Sequence, residues 1–157
     1  MEKEFQSLVH ECCLVGQVDW IGIRPKHRHE VVEMNSIQVS MEEGIAGDHY
    51  HNKSRKRQIT LIQAEHFIII ESLLKKSIKP AILRRNIVVS GINIWALKLE
   101  KFQIGSCILE GTGHCHPCSR MEETLGPGGY HAMRGHGGIT AKVIKNGNIE
   151  VGDTVRL

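Results

Sequence analysis

The chain has 157 residues, 41% hydrophobic, 24% charged and 4% aromatic, with a formal net charge of +3. That is the make-up of one ordinary globular domain with room for a core, and it excludes a disordered or membrane-resident chain. The few aromatics and the modest basic bias, centred on Lys53, Arg55, Lys56 and Arg57, argue against a nucleic-acid partner and suit a small anionic ligand better.

Five cysteines form no disulfide framework, and the N-terminus carries acidic residues where a signal peptide would be apolar. The longest apolar run, residues 67–70, is too short to cross a bilayer, so no membrane partner and a reducing cytoplasm are expected. Cys12, Cys13 and Cys107 read as buried inert thiols.

Residues 15–23 and 31–39 read as two strands able to form a hairpin, with a Pro-containing polar break at residues 24–30. Gly44-Ile45-Ala46-Gly47-Asp48-His49 follows as a tight loop that either presents Asp48 and His49 or uses the aspartate to cap a turn. Residues 57–62 alternate as a strand, and residues 63–76 change to helical period, with Ala64, Phe67, Ile68, Ile70 or Glu71, and Leu74 marking one apolar face. Beyond Pro80, Leu83-Arg84-Arg85-Asn86 leads into the β-branched run Ile87-Val88-Val89. Arginines beside an amide at a strand mouth can grip an anion, or pair with a surface carboxylate.

Ile104-Gly105-Ser106 and Val151-Gly152-Asp153 share one pattern, a glycine turn feeding a strand. Asn146-Gly147 predicts a hairpin between residues 139–144 and 149–157. One dominant helix among many short strands points to a single domain over residues 1–157, mainly β with helical insertions and closed as a barrel.

The chemistry concentrates in residues 111–138. Cys115 and Cys118 stand three apart among His114, His116, His131 and His136, in a glycine-rich setting that lets backbone approach a ligand closely. Such thiolates suit zinc, molybdenum or copper, or act as a redox pair. A zinc finger would draw on His131 and His136, whose spacing is wide for it, and a thioredoxin-like motif should open a helix, whereas this region reads as β-rich. Backbone N–H groups of residues 126–138 are candidates to cradle an anion or cover a metal, with Arg134 adding charge.

Gly44-Ile45-Ala46-Gly47-Asp48, the run from Leu83 to Gly91, Pro117-Cys118 and the closing Val151-Gly152-Asp153, taken in that order, resemble the MOSC domain. The resemblance implies a fold similar to the pyruvate-kinase β-barrel and binding of molybdenum cofactor, an anionic pterin dithiolene. It places the metal-ligating, catalytic cysteine on Cys118, leaves Cys115 as a second candidate ligand, and puts Arg84, Asn86, Asp48 and His49 near the cofactor, while the glycine-rich segment that carries Arg134, a further candidate for the cofactor's anionic part, departs from the family pattern. The implied function is reduction of N-hydroxylated small molecules with a separate electron donor; the alternatives are a sulfur carrier served by a separate sulfur donor, and a non-catalytic zinc-binding or redox-sensing module. The chain is expected to carry no flavin or ferredoxin-like domain, and no desulfurase domain with a pyridoxal phosphate of its own.

Overall fold

The computed structural model describes residues 2–11, 13–50 and 55–157; Cys12 and Lys53 lie outside them. Eleven strands are present among the described residues: β1 (Gly16–Ile23), β2 (Val32–Met34), β3 (Ser36–Ser40), β4 (Gly44–Ile45), β5 (Ile59–Gln63), β6 (Ile87–Ser90), β7 (Lys101–Ile104), β8 (Cys107–His114), β9 (Ile139–Lys145), β10 (Gly147–Glu150) and β11 (Thr154–Arg156). The helices are α1 (Glu2–His10), α2 (Ala64–Leu74), α3 (Ser119–Leu125) and α4 (Gly129–Met133).

Seven strands close on themselves in the order β1-β6-β5-β9-β8-β7-β11, sealed where Gly16 and Gln17 pair with Val155 and Thr154. Only the β5–β6 pairing in this ring is parallel, and α2 is part of the crossover it requires. Bulges in β1 between Val18 and Trp20, and in β8 between Gly111 and Gly113, bend the strands so that the ring closes.

Side chains that point inward, among them Val18, Ile21, Leu61, Ile87, Val89, Phe102, Leu109, Ile139 and Val155, fill the barrel. The alternate residues of the parallel pair, Ile62 and Val88, point outward under a second core formed with Ile70, Leu83, Met121, Leu125 and Met133. Both faces of β5 and β6 are therefore buried, which is why these strands read as continuous apolar runs. The second core glues α2, α3 and α4 to the outside of the barrel, and thereby fixes where α3 begins.

The barrel matches the expected class, with three local corrections. Residues 31–39 break at Asn35 into β2, which does form a hairpin with β1, and β3, which belongs to a separate sheet ordered β10-β3-β4. The Asn146-Gly147 pair makes no β9–β10 hairpin: neither residue takes the positive φ that a two-residue turn needs, and β10 leaves to pair with β3. On α2, Ala64, Phe67, Ile70 and Leu74 face the second core as predicted, but Ile68 is 72% exposed.

The matched turns at Gly105 and Gly152 do have positive φ, and they meet: a Cβ on Gly105 would strike the Asp153 carboxylate. Gly138 is more constrained still, with φ +86° and no room for a Cβ against the backbone carbonyl of Leu61. Gly138→Ala should cost more than about 3 kcal/mol and lower the melting temperature severely. Gly152→Ala, at φ +97° but in open space, should cost only about 1–2 kcal/mol; equal losses would show that φ, and not the contact with β5, sets the requirement.

Candidate functional site

The site is built on Arg24, which follows β1 and is 4% exposed. Its Nε and Nη2 donate to the two oxygens of Asp48 at 3.2 and 3.4 Å, and its backbone N–H donates to Oδ2 at 3.0 Å. Nη2 also donates to Asn86 Oδ1 at 3.1 Å. Asn86 is fully buried: Nδ2 donates to Gly22 O and Asp48 Oδ2, and Oδ1 accepts from the N–H and hydroxyl of Thr60 as well as from Arg24. With both amide hydrogens and its oxygen engaged, Asn86 has no polar group left for direct contact with a ligand.

Asp48 is both turn cap and ion-pair partner, since Oδ1 accepts the Tyr50 N–H at 3.0 Å. Burial pushes its carboxyl up, but the Arg24 guanidinium and the N–H donors of Tyr50 and Arg24 outweigh burial and hold it below the usual carboxylate value. His49 is half-buried, with Nδ1 3.0 Å from Arg24 O, and the Arg24 guanidinium lies 4.7 Å from the Tyr50 ring centre.

Above this network opens a cavity of about 270 Å³ lined by Arg24, Arg28, Arg57, Arg84, Arg85 and Arg120, with Cys118, His49 and Tyr50. Six guanidinium groups face one lining carboxylate, that of Glu123. Among the described residues only Arg24 of these six has an acidic side chain within ion-pair distance. Arg85 is 6% exposed and, among the described residues, donates only to the carbonyls of Leu83, Gly137 and Cys115. Burial pulls its basicity down, the Cys115 and Cys118 thiols oppose this, and Arg57 and Arg24 add to it. Among the described residues, the buried N–H groups on Arg57 Nε and Arg84 Nη2 have no acceptor. A buried cation and unmet donors are costly alone, so this wall is arranged for an anion.

Cys118 is exposed in this cavity, at the residue that caps α3. The Cys-x-x-Cys therefore does lead into a helix, contrary to the expectation of a β-rich setting. Cys115 is 2% exposed, lines a different cavity with Trp95, His114 and His116, and lies 3.7 Å from Arg57 Nη2. Both thiols are free. Among the described residues no group of three or more His, Cys, Asp or Glu side chains converges as a metal site, so His131 and His136 complete no zinc centre with the cysteines. Among the remaining thiols, Cys107 is buried as expected, and burial raises it to about 11, but Cys13 is exposed.

Residues 126–138 do not form the expected cradle. The N–H groups of Gly128 and Tyr130 donate to Glu122, the Gly137 carbonyl accepts from Arg85, and Gly137 is glycine because the Cys115 carbonyl leaves no room for a Cβ. Arg134 sits exposed at the end of α4 and does not line the cavity. Of the other arginines that line it, Arg85 stands beside Arg84 in the strand-mouth pattern and Arg57 in the basic run, whereas Arg24, Arg28 and Arg120 carry only weak signals, the first two inside a polar break and the third just after Cys118.

The MOSC domain model matches residues 48–156, from the aspartate of the buried network to the last barrel strand. The chain belongs to the MOSC domain family. As a MOSC protein it is similar in fold to the crystal structures of the YuaD protein from Bacillus subtilis and YiiM from Geobacillus stearothermophilus. The first is 19% identical over 90% of this chain and 94% of that one, with a TM-score of 0.78. The second is 18% identical over 90% of this chain and 74% of that one, with a TM-score of 0.74. YiiM from Escherichia coli follows at 15% identity over 90% and 69%, with a TM-score of 0.69. No curated protein sequence matches the chain. Among the described residues no helix is long and apolar enough to cross a membrane.

The Arg24–Asp48 pair yields a pH prediction. Because Asp48 is held below its ordinary value of 3.8, its stabilisation is complete above that pH and is lost as the pH falls through the lower folded-state value. Asp48→Asn should remove this acid-side slope and leave Arg24 buried without a counter-charge, at a cost of about 3–5 kcal/mol at neutral pH. Urea melts across the acid range check both; parallel slopes for wild type and variant would mean that Asp48 does not titrate as described.

Proposed function

We propose that this MOSC protein binds molybdenum cofactor and supports reduction of N-hydroxylated compounds with electrons from a separate donor. The observation that carries the reading is the cavity in which an exposed thiol faces six guanidinium groups that lack a matching set of carboxylates. The donor set fits the group. A thiolate is a soft ligand for the metal, and planar guanidinium groups with unmet N–H donors suit a phosphate and a pterin edge.

When bound, the cofactor supplies a metal centre that accepts and delivers electron pairs. Cys118 would hold it through Sγ, and Arg57, Arg84 and Arg85 would take its anionic part. Arg24 is locked by Asp48 and Asn86, so the roles of these two residues are to orient that guanidinium; His49 steadies the same loop by its contact with the Arg24 carbonyl. Cys115, facing another cavity, would act on the site only indirectly, through its carbonyl on Arg85 and its thiol beside Arg57.

The exposure of Cys118 favours one second reading, a thiol that accepts sulfur from a donor protein. Incubating unloaded protein with a cysteine desulfurase separates the two: a one-sulfur mass adduct on Cys118, together with no turnover of N-hydroxylated substrate by molybdenum-loaded protein given a competent electron donor, would make the sulfur carrier correct.

Protein from a host that makes the cofactor should contain molybdenum, Cys118→Ser should lose it, and Cys115→Ser should keep most of it. Elemental analysis checks this, and equal loss from both variants would favour a shared two-cysteine site. Arg84→Ala should weaken cofactor binding by about tenfold or more with little change in melting temperature, since only one of its contacts, to His29 O, is internal support.

A further inference from the structure

A second cavity, of about 450 Å³, adjoins the cysteine cavity. Arg28, Arg84, Arg120 and Glu123 line both, so these four residues form the threshold between them. Beyond it the walls change character. Val31, Ala81 and Ile82 present apolar surface, and Thr124 and Glu30 complete the lining. Ile82, at 38% exposure, is a large aliphatic side chain left uncovered on a concave wall.

Charge falls off along the same direction. The cysteine cavity holds six guanidinium groups against one carboxylate, whereas the larger cavity holds three against two, Glu30 and Glu123. Arg84 stands at the step. Its Nη1 donates to the His29 carbonyl at 2.7 Å, while its Nη2 is buried without an acceptor among the described residues. Burial, and then the neighbouring charges of Arg120 and Arg24, pull its basicity down, so an anion at the threshold would relieve a strain already present.

We infer that the larger cavity holds the non-reacting body of the substrate, and that the cleft selects an acidic head on an apolar tail: N-hydroxylated acids of the hydroxamic class over N-hydroxylated bases such as amidoximes. The inference rests on the reading of the cysteine cavity as a reductase site. An ionised or strongly hydrogen-bonding N–OH head meets Arg84, Arg120 and Arg28, and the tail lies on Val31, Ala81 and Ile82. A basic head is disfavoured at the same threshold by the positive potential of the inner cavity. The corresponding reaction takes two electrons from the donor protein and two protons, breaks the N–O bond of the hydroxamic acid, and leaves the primary amide and water.

Octanohydroxamic acid and octanamidoxime, matched in tail, test this on the full chain, with and without molybdenum loading. Titration followed by amide resonances should give at least about tenfold tighter binding of the hydroxamic acid, growing as the pH approaches ionisation of its N–OH. The largest shifts should fall on Val31, Ala81, Ile82 and Thr124. Arg120→Gln should shrink the preference for the acid, and Ile82→Asp should weaken both ligands. Equal or tighter binding of the amidoxime, or shifts away from those four residues, would overturn the inference. Should Ile82→Asp lose stability, the shift map of the unaltered chain and the Arg120→Gln comparison decide. Molybdenum content of the same preparations keeps the two readings apart. Retained metal without acid preference sinks the selectivity alone, whereas acid preference in a chain that never retains molybdenum sinks the cofactor reading and leaves an acid-binding cleft.

Discussion

The buried contact of Arg24 with Asp48, cross-braced by Asn86, ties together segments far apart in the chain: the end of β1, the loop after β4, and the starts of β5 and β6. Each member makes the others tolerable. Arg24 needs the carboxylate because a lone guanidinium at 4% exposure would be expelled or would open the barrel to water. Asp48 needs Arg24 and two backbone N–H groups to stay ionised where burial alone would protonate it. Asn86 uses its full donor and acceptor capacity to hold both in register with Thr60 on the neighbouring strand. A network with every atom engaged is rigid, and rigidity at the base of the cavity is what lets the arginines above it keep their geometry without carboxylates of their own.

Those arginines are paid for by the two cores. Burying Arg85 against three carbonyls, and leaving N–H groups of Arg57 and Arg84 unmet, works against stability. A barrel whose interior is aliphatic, with a second aliphatic layer clamping α2, α3 and α4 outside it, can carry that load. Function and stability pull apart here, and a bound anion is what would reconcile them, so ligand binding and thermal stability should be strongly coupled.

The barrel was legible in the sequence because its signals were local: β-branched alternation, the helical period of residues 63–76, and glycine turns at Gly105 and Gly152. What failed was pairing. The Asn146-Gly147 dipeptide carries a hairpin signal, yet tertiary contacts decide its φ angles and send β10 to β3. At the site, Cys118, Arg84, Asp48 and His49 were legible through the order of the family motifs. The bracing role of Asn86 was not legible, because sequence cannot show that an amide is saturated by partners 26, 38, 62 and 64 residues away. Arg134 lies outside the cavity wall, and of the glycines after it Gly137 and Gly138, which suggested a ligand loop, serve close approach to Cys115 and β5.

Those two glycines decide how the two cysteines come to differ. Gly137 and Gly138 let the chain pass flat against the Cys115 and Leu61 carbonyls, so Cys115 is drawn inward: its N–H donates to Gly138 O and its carbonyl accepts from Arg85. Pro117 follows, and two residues on, at Ser119, the chain turns out into α3, whose Met121 and Leu125 are anchored in the second core. Cys118 is thus left exposed at the turn, among the arginines, by packing that has nothing to do with its sulfur. A Cys-x-x-Cys motif reads as a pair in sequence; here the backbone splits it into one buried cysteine, whose carbonyl helps position Arg85 and whose thiol lies beside Arg57, and one open thiol that faces the cavity. The exposure of Cys118 to the cavity consequently depends on residues that do not line it, the glycines that hold Cys115 down and the aliphatic side chains that hold α3 in place.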